Sequence, residues 1–163
     1  MRATGENARS VEKFTAQADV LHRLVAGLSA ADLDAVPVPG RWSLRTLTIH
    51  VMDSDQFAIG RMKRVIAETN PLLIAYDETA FAASLGYAAL DVGRCCEIFR
   101  LGRLHMGEVL AQLPDEAFAR AGVHNESGRV TLAGLVAGYV RHVEHHMVFA
   151  REKLRALGRD AHV

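Results

Sequence analysis

The sequence predicts an all-α protein folded as a four-helix bundle. Three observations carry that expectation. Apolar residues recur every three or four positions in four long stretches, and the connections between them are short or broken by proline and glycine. No stretch shows the period-two alternation of a half-buried strand.

At 163 residues, 50% of them hydrophobic, the chain is expected to form one domain over residues 1–163 with a full-sized core. Lys+Arg 19 balances Asp+Glu 19. No block of like charge occurs, which argues against nucleic acid or an anionic membrane surface as a partner. The first seven residues contain no apolar signal core, and no apolar run approaches a membrane span. Cys95 and Cys96 are adjacent within a helical pattern and read as reduced thiols, so the expected compartment is the cytoplasm.

Taken in order, Val11, Phe14, Ala18, Leu21, Val25 and Leu28 step by three and four, predicting an amphipathic helix over 7–28. His22 sits at the edge of its stripe as a boundary residue. Ser29 to Asp34 can add a helical turn, and Val36-Pro-Val-Pro-Gly ends it. Ser43 is a good N-cap for a second helix, with Trp42 before it able to pack on Leu47 as a hydrophobic staple. That stripe runs through Leu47, His50, Val51, Ser54, Ala58, Met62 and Val65 and stops at Asn70-Pro71. Residues 70–86 are irregular, with a short helix expected from Asp77 to Ser84; Tyr76 and Asp77 are candidates to line a cleft there. A third long helix is expected over 88–113 and a short one near Ala117. A polar loop follows from Gly122 to Thr131, the N-cap of the last helix.

The last helix carries His142, His145 and His146. Positions four apart share a helical face, so His142 and His146 can aim ring nitrogens at one point. Both flank the apolar row Val136, Val140, Val143, Met147, while His145 lies about 160° from Val143 and is expected to face solvent or a partner subunit. Two imidazoles on a buried stripe either ligate a metal or hydrogen-bond within the core. His50 on the second helix supplies the third nitrogen that a metal needs, and Asp53 stands one turn on, where it can orient a ligand or pair with Arg61. His105 is a possible fourth ligand or a helix-edge residue. The loop carrying His124 enters the last helix roughly 16 Å before His142, so His124 reads as a structural loop histidine. A di-iron carboxylate centre needs Glu-x-x-His, which is absent, as are Cys-x-x-Cys-His and His-Glu-x-x-His.

Trp42-Ser43, His50-Val-Met-Asp53, His124-x-x-x-Gly128-x-x-Thr131 and His142-x-x-His145-His146 together resemble the DinB/YfiT-like superfamily of metalloenzymes, over about Phe14 to Leu154. The resemblance implies an up-down-down-up bundle and a divalent metal (zinc or nickel, with iron as a third choice) held by His50, His142 and His146. It also implies an enzyme of the S-transferase or hydrolase class acting on a small-molecule substrate. A low-molecular-weight thiol would be the co-substrate in the first case, and a homodimer is expected. Asp53, Tyr76 and His145 are the candidates for proton transfer or for orienting substrate. Thr46 stands where many relatives have an acid, and Met147-Val-Phe149 where many have a glutamine. The second departure leaves the substrate less defined than the metal. The competing expectation is a stress-associated binding module in which the metal only staples the bundle.

Overall fold

The computed structural model describes residues 3–160. In chain order the elements are α1 (Gly5–Ala16), α2 (Val20–Val25), α3 (Ala30–Asp34), α4 (Leu44–Ala67), β1 (Leu72–Leu73), α5 (Glu78–Ser84), α6 (Val92–Gln112), β2 (Ala121–His124), β3 (Gly128–Thr131) and α7 (Leu132–Ala156), with short 3-10 turns at Tyr87–Ala89 and Asp115–Ala119. No helix among the described residues is long and apolar enough to cross a membrane.

Which ends of the helices meet follows from how the apolar side chains divide. Val11 and Phe14 of α1 pack with Ala58 to Val65 of α4, Met106 and Leu110 of α6, and Leu132 to Val140 of α7. Val20 to Leu24 of α2 pack instead with Leu44 to Met52, Val92 to Phe99 and Val143 to Leu154. The α1–α2 segment and α7 therefore run one way, and α4 and α6 the other. This is the up-down-down-up bundle.

A charged layer separates these two apolar clusters. Arg103 of α6 is fully buried and Asp55 of α4 is 1% exposed. The guanidinium donates to the carboxylate of Asp55 at 2.8–3.2 Å. It also donates to the carbonyl of Phe14, to Oε1 of Gln17 at 2.7 Å, and to the carbonyl of Tyr139 on α7 at 3.0 Å. Its planar face lies 4.2 Å from the Phe14 ring and 4.8 Å from that of Phe99. One side chain thus ties together all the long segments of the bundle. Burial pushes the Asp55 carboxyl above its ordinary range, and the guanidinium pulls against that shift.

Two expectations are corrected. The helix expected over 7–28 is broken between Ala16 and Val20. Gln17 turns inward there, donating to the Val140 carbonyl at 3.2 Å while accepting from Arg103. The second correction concerns strands: β1 pairs parallel with β2, and β2 antiparallel with β3. With two to four residues each, these strands are too short to reveal a period. Gly122 permits the close approach, since a Cβ there would lie 2.8 Å from the Pro71 carbonyl. Asn125 then accepts from the Ala75 amide at 2.7 Å, fastening the segment that carries Tyr76 to the strands leading into α7.

Removing one partner of a buried ion pair strands the other charge, which costs about 3–5 kcal/mol, whereas replacing both with apolar groups costs much less. Arg103→Met should accordingly destabilise the fold by about that amount in urea unfolding, and adding Asp55→Leu should recover most of the loss. Additive losses in the double variant would contradict this view of the layer.

Candidate metal centre

The two helices that carry the histidines are started by side-chain caps. Ser43 Oγ accepts from the Thr46 amide at 3.2 Å at the head of α4, and Thr131 Oγ1 accepts from Gly134 at 3.0 Å at the head of α7. Because α4 and α7 are antiparallel, the second turn of α4 lies beside the middle of α7. His50 thereby meets His142 and His146, with ring centroids 5.5 and 4.8 Å away. The two α7 rings are 4.5 Å apart, and their Nε2 atoms are 3.1 Å apart. One nitrogen from each of the three rings lies within 4.8 Å of the other two. Tetrahedral ligands at bonds of about 2.0–2.1 Å stand about 3.3 Å apart, so the α7 pair is already near that spacing.

The chemistry of the trio fits a cation. His50 is 1% exposed. Neither of its nitrogens has a hydrogen-bond partner, nor does Nδ1 of His146. Burial lowers the pKa of all three; for His142 and His146, to about 4 and about 3, the neighbouring imidazoles add to the effect. At neutral pH the rings are therefore uncharged, and apart from the Nε2–Nε2 hydrogen bond of the α7 pair their lone pairs are available. Leaving such nitrogens unsatisfied is costly, and a metal would satisfy several together.

Around the trio, the residues singled out in the sequence take distinct places. Asp53 accepts a 2.5 Å hydrogen bond from the Tyr87 hydroxyl and reaches His50 only through its field, which favours the protonated ring. Tyr76 stacks on Phe57 at 4.2 Å and against Phe81 at 4.9 Å, and burial raises its pKa. His145 is exposed and touches the rings of His146 and Phe149. Asp77 caps α5, accepting from Thr79 and Ala80 at 2.9 Å. Trp42 packs its ring 5.0 Å from that of His50. His22 faces Glu97 at 3.3 Å, and His124 lies in β2, its Nδ1 accepting from the Glu126 amide at 3.3 Å. His105 is exposed on α6 and is not among the three clustered histidines.

Sequence reasoning missed Glu78. Its carboxylate lies 3.4 Å from His50 Nε2 and is 57% exposed, without the alignment of a hydrogen bond. The only available signal was its place directly after the N-cap of the predicted short helix. Glu78 and His146 also line an open pocket of about 320 Å³ with Arg41, Trp42, Leu47, His145, Phe149 and Lys153.

Comparison with known proteins follows the same lines. A family model described as the DinB superfamily matches residues 13–150. A Bacillus mycoides protein named "putative metal-dependent hydrolase" is 32% identical over 139 residues, covering 82% of this chain and 79% of its own. An Oceanobacillus iheyensis protein of the same name is 27% identical over 128 residues, covering 78% and 74%. Bacillus subtilis YfiT, again so named, is 25% identical over 139 residues, covering 85% and 78%. The solved structure of YfiT, described as having an unusual four-helix bundle topology, superposes with a TM-score of 0.88 at 22% identity, covering 94% of this chain and 89% of that one, and confirms the fold.

The histidines also set a pH dependence. Above the unfolded-state value of about 6.5 both states are neutral and the rings contribute nothing. Below it the unfolded chain takes up protons first, so metal-free protein should lose stability as pH falls from about 6.5 toward about 4. Urea midpoints of chelator-treated protein check this. The decline should be visibly shallower in His142→Ala/His146→Ala, and an equal slope would contradict it.

Proposed function

The chain belongs to the DinB superfamily, and on that footing we propose that it is a metal-dependent hydrolase of small molecules in which His50, His142 and His146 hold one divalent cation. The observation that carries this reading is the meeting of three neutral imidazoles from two helices, the most buried of which makes no hydrogen bond through either nitrogen. The relatives named as metal-dependent hydrolases support the reaction class. Imidazole donors suit zinc or nickel, and also iron.

Bound by three residues, such an ion supplies Lewis acidity and makes water, or a thiol, a strong nucleophile near neutral pH. The chain does the rest. Glu78, beside His50 yet open to solvent, is placed to accept a proton from the entering nucleophile. Asp53, held by Tyr87, keeps a negative field behind His50. Tyr76 is fixed by its stacking on Phe57 in the 70–86 segment. His145, at the pocket rim next to His146, can carry a proton to the leaving group.

A low-molecular-weight thiol in place of water would make the same site an S-transferase, and the two outcomes separate in one assay. Zinc- or nickel-loaded protein is given an activated ester with and without added thiol. Loss of an outer partner typically costs about 10–100-fold in metal affinity or activity, so His50→Ala is expected to lower both by at least about 100-fold. Turnover that needs the thiol identifies a transferase. Equal rates for wild type and variant would reject a metal-centred mechanism.

A further inference from the structure

The pocket that opens onto His146 contains a charge that nothing above uses. Lys153 lies seven residues beyond His146 on α7, two turns and about 10.5 Å along the same face. Helical side chains lean toward the N-terminus, so its stem runs back toward the histidines. The residue is 3% exposed and lines the pocket, yet it makes no hydrogen bond or ion pair among the described residues. Burial lowers its pKa, Glu152 opposes that shift, and Arg41 adds to it. Its stem is buried while its ammonium meets the open pocket without an acceptor, and an arriving anion would supply one.

The neighbouring groups complete the description. The Arg41 guanidinium stands 5.5 Å over the Phe149 ring, at the same pocket and without a carboxylate partner among the described residues. Trp42, Leu47 and Phe149 supply apolar walls. The two carboxylates that also line the pocket do not cancel the cations: Glu152 is exposed to solvent, and Glu78 faces His50.

We infer that this pocket binds a small organic oxyanion with an apolar or aromatic body, its anionic end held by Lys153 and Arg41 and its other end beside His146. The inference names the substrate class for the proposed metal site and rests on that reading for its catalytic meaning. The binding itself needs no metal. At about 320 Å³ the pocket suits a molecule near the small end of the usual ligand range.

The test uses calorimetric titration of full-length protein, metal-free and zinc-loaded, with phenylacetate, phenyl phosphate and the uncharged phenylacetamide. Either anion should bind at least about tenfold more tightly than the amide, and the better of the two identifies carboxylate or phosphate as the preferred end. Lys153→Met, which keeps the packed stem, should weaken anion binding at least about tenfold in both metal states while zinc affinity stays unchanged. Arg41→Gln, at an exposed position, should weaken it several-fold and guards against a folding defect in the first variant. Equal binding of amide and anion, no anion binding at millimolar concentration, or no effect of either substitution would overturn the inference. If zinc does not bind but the metal-free protein still discriminates, the metal reading fails and the anion pocket stands; zinc binding without discrimination gives the reverse result.

Discussion

A single guanidinium sets the geometry on which the rest depends. Arg103 bonds to Asp55 on α4, to Phe14 and Gln17 at the end of α1, and to the Tyr139 carbonyl on α7. Asp55 is five residues after His50, and Tyr139 is three residues before His142. The buried ion pair therefore fixes the distance between α4 and α7 about one turn from the histidines. A purely apolar layer would fill the same space but would leave the helices freer to slide, because dispersion contacts are individually small and non-directional. Hydrogen bonds from a rigid planar group define both separation and register.

That constraint bears on the site directly. Imidazoles can be brought together on buried faces only if something other than their own attraction holds the helices, since the trio gains only the single Nε2–Nε2 hydrogen bond of His142 and His146 from meeting. Here the fold holds them, at an energetic cost visible in the nitrogens of His50, which make no hydrogen bond. Local instability of this kind, stored in an otherwise well-packed bundle, is expected where a ligand is to be received. It also bears on the idea of a metal that merely staples the bundle. The helices already have a polar clamp of their own, so an ion would add chemistry more than cohesion.

Much of this was legible in the chain. The heptad-like spacing of Leu47, Val51, Ala58, Met62 and Val65, and of Val136, Val140, Val143 and Met147, gave the long helices. The same count of residues per turn placed His50, His142 and His146 on the core side. The caps Ser43 and Thr131 were recognisable because their chemistry is local. Gln17, Asp55 and Arg103 were not, because a polar residue at a helical core position looks like an interruption until its partners, up to 123 residues away, are known. The two- and four-residue strands lacked the length to show alternation. Glu78 and Lys153 carry no spacing signature either; each gains its role from what the fold sets beside it.

The ligands proposed for the cation are His50, His142 and His146, and no other histidine. Eight histidines are present in the chain, and nitrogen-15 chemical shifts of their ring nitrogens distinguish each one. Titrating zinc into tag-free, metal-free protein should move one nitrogen each of His50, His142 and His146 to a metal-bound position at one equivalent, leaving His22, His105, His124, His145 and His162 where they were. A different set of shifted rings, or none, would contradict the account.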